Sequence, residues 1–508
     1  MSETDNEKNS NPQATSPAAA ATAESPTIRD SARSTGLKPL ADAAPHTELK
    51  RRLSSAQIAM IGLSGALGTG LFLGSGSTIS FAGPGTIVSY FLAGMLALAV
   101  VWALAEIVSV YPIPGGHGAV AAVFLGKGGG YVARWNLAIE MLVAVGAEVT
   151  AAATYLQHWF PGLPIGLGTV LCSLFIAALN LATVRLYGVA EYWFSMFKVT
   201  AIVVFILMGL SILLFGWPAH SGPVGFGNLV ENGGFAPFGL AGILLATCMA
   251  VFSFGGIENV SIAAAESENP REGIPRAART MIWRLVFFYI LAIGVILALQ
   301  DWRATVAASG HAEASPFVKV MDMVGIPAAG HVMNAILLIA ALSSANGCLY
   351  SGSRMIHSLA LDKMAPAFAA RTGENGAPRG AVALATLCFV LASVLAIVSP
   401  SQAFMYLYGC ATVGILVTWI IIMLTHLKFR RHYDALTSER PPAKLWGYPV
   451  VNWVVIVASV AVFLALPLTG MAVAWIAGIP YLIALVASYF VLSRVRKLPD
   501  PAPLTLQI

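Results

Sequence analysis

Three ionisable side chains stand where water is scarce: Glu148, Lys198 and Glu258 each lie inside a long apolar run. An ion at membrane depth costs about 2.5–3.5 kcal/mol even on insertion scales, so each is a candidate for a functional role. Lys198 is flanked by FSMF and VTAIVVFI. An amine taken out of water loses much of its preference for the charged form, which suits it to releasing and regaining a proton. Glu148 sits in AEVTA (147–151), where it either relays protons or meets a substrate; a structural bond to a neighbouring helix weighs equally. Glu258 follows the pair Gly255 and Gly256, and either orders the backbone there or touches a substrate. Glu106 and Glu191 fall near helix ends and read as loop anchors. His158 and His426 receive no role, and neither does Glu140, a further acid eight residues before Glu148.

Two apolar runs are rich in glycine at their middles. The first reads IAMIGLSGALGTGLFLGSG (58–76), with Gly62, Gly65, Gly68 and Gly70 inside it. The sixth reads LLATCMAVFSFGGIENVSIAAAESENP (244–270). Small residues can simply let helices pack closely. Here, however, the two runs hold the same position in successive blocks of five. Paired interruptions of that kind point to a transport site at mid-membrane between inverted repeats. Breaks are expected near 65–70 and 253–257. A broken helix exposes N–H groups at the positive end of a half-helix, which suits a carboxylate. Its free carbonyls suit an ammonium. Two breaks side by side make a cradle for a zwitterion, and an amino acid is the commonest small one. Gly68 and Gly70 are expected to serve by lacking a Cβ and by tolerating positive φ.

The elements that must carry these residues are membrane helices. Of 508 residues, 57% are hydrophobic and only 10% charged, against about 25% charged in a typical soluble protein. The solvent for such a surface is the lipid bilayer. Runs long enough to cross it fall near 56–79, 85–110, 131–156, 164–184, 190–215 and 238–262. A second set falls near 281–300, 328–352, 380–398, 403–426, 449–469 and 472–493. The class is all-α integral membrane with about twelve transmembrane helices. Place the N-terminus inside: of the 29 Lys and Arg, only Arg303 and Lys319 then flank outer helix ends. Lys198 lies within a span, and the rest lie in the tail or on inner flanks, as the positive-inside rule requires. Both termini are therefore expected in the cytoplasm of a cell inner-membrane protein. Residues 1–48 read as a disordered tail and 494–508 as a short second one.

Other classes fit poorly. The formal charge of +5 is scattered rather than clustered, which argues against nucleic acid. There is no HExxH, no GxSxG and no clustered metal ligands, so an enzyme is not expected and no cofactor or metal is implied. The five cysteines sit in apolar runs without a CxxC pair and read as buried, reduced thiols.

The stretch LKRRLSSAQIAMIGLSGALGTGLFLGSG (49–76) resembles the opening of amino acid permeases of the amino acid transporter family, within the amino acid–polyamine–organocation superfamily. AEVTAAATYLQHWFP (147–161), VRLYGVAEYWFSMFKVTAIVVFI (184–206), FSFGGIENVSIAAAESENPRE (252–272) and SSANGCLYSGSRMIHSLALDKMAP (343–366) are similar to the same family. One continuous register covers roughly residues 48 to 495. The resemblance implies a leucine-transporter-like fold with helices one and six unwound at mid-membrane. Five-helix repeats are expected at 49–215 and 238–426 in inverted relation, with two peripheral helices at 449–493.

By the same resemblance, Gly68, Thr69 and Gly70 hold the substrate carboxylate, and Ser64, Gly65 and Ala66 line the break. The carbonyls of Phe252 and Ser253 receive the ammonium, Phe254 is an aromatic lid, and Gly255, Gly256 and Glu258 complete the binding segment. Lys198 takes the space of a sodium ion in sodium-coupled relatives and makes transport depend on protons, with Glu148 the second proton-coupling residue. The partners implied are an amino acid and protons. Exchange of substrates, or a non-transporting sensor on the same fold, are the alternatives. GGHGAVAAVF (115–124) departs from the family's serine-rich stretch by carrying His117. Small and apolar pocket segments with Phe252 and Phe254 suit neutral or aromatic substrates better than cationic ones, although Glu148 leaves lysine-like ones open.

Overall fold

A helix is the one open-ended element that satisfies its own backbone in lipid, and the computed structural model is helical throughout its described part. That part covers residues 67–501 apart from 114, 182–183, 218–221, 265–266, 268, 308–314, 324–326 and 374–377. The described part starts with two short helices, α1 (Thr69–Phe72) and α2 (Gly74–Ala82), followed by α3 (Thr86–Val110). Next come α4 (Gly116–Phe124), α5 (Gly126–Gln157), α6 (Ile165–Leu181), α7 (Val184–Phe215), α8 (Gly239–Ala250) and the short α9 (Asn259–Ala263). The remainder is α10 (Pro270–Leu299), α11 (Trp302–Ala307), α12 (Pro316–Met323), α13 (Ala329–Leu361), α14 (Arg379–Ala385), α15 (Leu387–Val398), α16 (Ala403–Leu436), α17 (Val450–Ala465) and α18 (Ala472–Val495).

Among the described residues, ten helical stretches are long and apolar enough to cross a membrane, and Ile165–Asn180 is a shorter apolar helix. Several run past the apolar stretch that announces them. Ala403–Leu436 holds 34 residues, or about 51 Å of helix against a hydrocarbon core of about 30 Å. Its last turns carry Lys428, Arg430, Arg431 and Asp434. Hydropathy sees only the part in hydrocarbon, whereas the helix continues into water.

The middle of the bundle is α5, packed against α13 and α16, with α10 against α3 and α8 against α2. Small residues let it approach closely: Gly146, Ala147, Ala151, Ala152 and Ala153 are all buried. The last two helices bury little and present Val457, Leu464, Ile476 and Ile483 outward. Apolar area in water costs about 25 cal/mol per Å², so this face belongs against lipid.

Glu106 ends α3 as the loop anchor expected of it. Its Oε2 accepts from the Leu445 N–H at 2.7 Å and lies 3.1 Å from His426 Nε2, while Oε1 is bonded by Arg430. A single buried carboxylate thereby ties α3, α16 and the 437–449 segment together. His426, given no role from sequence, belongs to this anchor.

Candidate functional site

The sixth apolar run breaks where its glycines fall. After α8 the chain tightens into a 3-10 turn at Val251–Phe254, then runs irregularly to Glu258 before α9 resumes. Gly256 adopts φ +91°, a conformation that side chains resist. Glu258 folds back on this segment. Its Oε2 accepts from the Gly256 N–H at 2.8 Å and its Oε1 from Trp419 Nε1 at 2.6 Å. One bond to the backbone and one to the Trp419 indole thus occupy Glu258, and it does not line the cavity described below.

Opposite lies α1, which starts at Thr69 after Gly68. Ser64, Gly65 and Ala66 lie outside the described residues. Gly68 has φ −119° and Gly70 sits inside α1, so neither uses the positive-φ freedom expected of it. Their service is steric. A Cβ on Gly70 would stand 2.8 Å from Ser253 Cα and 2.9 Å from Phe252 Cδ1; one on Gly68 would collide with Glu148 Oε1. The two glycine-rich segments therefore face each other at near-contact distance.

Between them, with α5, α13 and α16, is a cavity of about 20 Å³, room for about one water. It is lined by Gly68, Gly70, Glu148, Phe252, Gly255 and Gly256 from the expected set. Glu140, Met141 and Ala144 of α5, Ser344 and Cys348 of α13, and Ile415 of α16 complete it. Ser344 and Cys348 fall in a quoted motif, but nothing in it marks them as lining. Ile415 carries no sequence signal, because it reaches the cavity from the far end of the chain.

The cavity already holds a carboxylate. The Thr69 N–H points at both oxygens of Glu148, at 3.2 and 3.3 Å, and Ser344 Oγ donates to Oε1 at 3.0 Å. A main-chain amide assigned to a substrate's carboxylate is thus met by one from α5. Nearby, Lys198 is fully buried on α7, and the carboxylates of Glu191 and Glu148 act on it. Glu191 is no loop anchor: it is buried and accepts from Ser343 Oγ at 2.8 Å and Asn346 Nδ2 at 3.3 Å. It stands seven residues from Lys198, hence on the same helix face.

Phe252 lines the cavity and packs on Tyr408 with the two rings tilted and their centroids 4.1 Å apart. Phe254 turns away to pack on Tyr289 and Tyr90. A 3-10 turn rotates each residue by about 120°, so two phenylalanines two apart cannot share a face. The Ser253 carbonyl, one expected ammonium acceptor, already receives Tyr289 OH at 2.6 Å, and the Phe252 carbonyl receives the Gly255 N–H at 2.9 Å. Each keeps a second lone pair.

A sequence profile described as amino acid permease matches residues 57–498. The γ-aminobutyric acid permease of Bacillus subtilis (strain 168) is 34% identical, over 82% of this chain and 88% of its own length. The chain belongs to the amino acid permease family. This permease is also 35% identical to the aromatic amino acid transport protein of Escherichia coli (strain K12), over 84% of this chain and 92% of that one. Among solved structures it is similar to a manganese transporter of Eremococcus coleocola, with TM-score 0.54, 13% identity and cover of 86% and 93% of the two chains. That likeness shows the fold alone, all-helical and leucine-transporter-like. The permease is accordingly a multi-pass membrane protein whose relatives are transporters.

His117, a departure from the family's pattern, lies on α4 at the edge of this assembly. Its Nδ1 is 3.0 Å from Ser261 Oγ just past the break, and Gly115 and Gly116 reach that position with positive φ. Burial holds the imidazole down to about 4. The stability lent by the neutral ring is full above about pH 6.5 and falls away as the pH drops toward 4. Across about pH 5 to 8 the ring stays neutral. His117→Gln is expected to leave the shape of the uptake–pH profile unchanged in that range, measured as initial rates in proteoliposomes.

Proposed function

We propose that the permease is a secondary active transporter that imports amino acids across the cell inner membrane by symport with protons, both termini lying in the cytoplasm. Two inverted five-helix repeats, 49–215 and 238–426, form its working core, and 449–493 its peripheral helices. The observation that carries the reading is the Glu148 carboxylate seated on the Thr69 amide. A substrate carboxylate needs that same amide, and two carboxylates cannot share it. Adding a proton to Glu148 weakens its hold and frees the amide, so substrate and proton arrive together. In this reading Lys198 hands that proton over, a role supported by the influence of the Glu148 and Glu191 carboxylates on its buried amine. With room for about one water, the cavity must open to admit an amino acid, which requires α1 and the 251–258 segment to separate or Glu148 to swing aside. Alternating exposure of such a site is transport.

Purified full-length protein in proteoliposomes tests this. Uptake of labelled amino acids is expected to rise with an inward proton gradient and to vanish with a protonophore. Replacing sodium by choline is expected to change nothing. A requirement for sodium would overturn the coupling, and no uptake or counterflow of any amino acid would overturn the transport reading.

A further inference from the structure

Glu140 is buried to 2% exposure and lines the cavity from α5, two turns before Glu148. A chain of polar groups holds its carboxylate in place. Tyr481 OH donates to Asn136 Oδ1 at 3.1 Å, Asn136 Nδ2 to Thr418 Oγ1 at 2.9 Å, and Thr418 Oγ1 to Glu140 Oε2 at 2.5 Å. Gly414 on α16 makes room for the stem, since a Cβ there would stand 2.6 Å from Glu140 Cβ. The other oxygen, Oε1, is buried and has no hydrogen-bond partner among the described residues.

A buried acceptor left unpaired is costly, and more so when charged. Three residues nonetheless cooperate to hold this one beside the cavity. No Lys or Arg is among the described lining residues, which present two carboxylates and no cation to the cavity. Eight residues of helix put Glu140 about 12 Å along α5 from Glu148. With the α-carboxylate at the Gly68–Thr69 end, a long side chain reaches toward Glu140. A neutral side chain would leave Oε1 orphaned, whereas an amine or guanidinium would satisfy it. Sites built to bond a polar group discriminate strongly against analogues that lack it.

We propose that Glu140 receives the cationic end of the substrate's side chain, and that the permease prefers basic amino acids, those with an amine or guanidinium several carbons from Cα. This rests on the cavity being the transport site. It reverses the neutral or aromatic preference expected from the pocket's small and apolar segments.

Lysine and norleucine, the same chain with and without the terminal amine, test it in proteoliposome counterflow. Wild-type protein is expected to take lysine at least about tenfold better, a difference of about 1.4 kcal/mol. Glu140→Leu is expected to raise the lysine half-saturation at least about tenfold while lowering that of norleucine. Glu140→Gln, which keeps the shape, guards against misfolding and is expected to weaken lysine selectively. Norleucine or phenylalanine outcompeting lysine in the wild type would overturn the proposal and leave the transport reading standing. Equal losses for lysine and norleucine in both variants, or equal loss of their pH dependence, would make Glu140 a structural or proton site and overturn it too. Failure of every amino acid in the wild type would instead refute the transport reading.

Discussion

Lys198→Met is expected to abolish the response of uptake to an inward proton gradient while the protein still reaches the membrane. Methionine keeps most of the stem's volume in a fully buried position and removes only the ammonium. In the wild type that ammonium stands under the influence of Glu191 and Glu148, and Glu148 holds the Thr69 amide. Removing one member of a buried charge group costs about 3–5 kcal/mol because its partners are left uncompensated. The carboxylates that remain then settle into one protonation state and no longer cycle. A carrier whose rate follows a single proton site changes with pH across that site's titration, and the variant is expected to show a flat profile. Initial rates at a series of external pH values, normalised to reconstituted protein, give the comparison. Retention of the wild-type slope in the Met variant would place the proton site elsewhere, with Glu148 next to be tested.

Gly70→Val is expected to lower uptake by more than about a hundredfold, equivalent to about 2.8 kcal/mol. The atoms in the way belong to the opposing break: Ser253 Cα lies 2.8 Å from the place of the new Cβ. Backbone cannot swing aside as a side-chain tip can, so α1 and the 251–258 segment must part. Overpacking of this kind costs about 1–3 kcal/mol, and here it falls on the two segments that form the cradle. Gly68→Ala is expected to do less, since it meets the Glu148 and Ser344 side chains, which can turn. Wild-type affinity in Gly70→Val, read from counterflow, would rule out the cradle between these segments.

Much of this was legible in the residues. Glycines at 255 and 256 marked the break because a chain cannot leave helical geometry in lipid without a reason, and the irregular segment falls there. Glu148 and Lys198 stood out because an ion in an apolar run is costly, and both are buried at or beside the cavity. Glu140 carried the same signal, but spacing along one helix does not say which neighbour a side chain meets. Phe252 and Phe254 stand two apart and so point to different sides of a helical turn; which of them meets the cavity is set by packing across the bundle, and it is Phe252.

Read in order, the residues were enough for the membrane as solvent, the helical class and the position of the sixth helix's break, while the family rests on the resemblance of long motifs. The first three depend on composition, periodicity or local backbone freedom, which neighbours along the chain suffice to set. Packing across the bundle set that Glu148 rests on the Thr69 amide, that Glu191 belongs with Lys198, and that Glu140 lines the cavity with an oxygen unpaired among the described residues. Those facts join residues up to hundreds of positions apart. They arise from which helix faces meet across the bundle, a choice made by packing many weak contacts at once and written in no single segment.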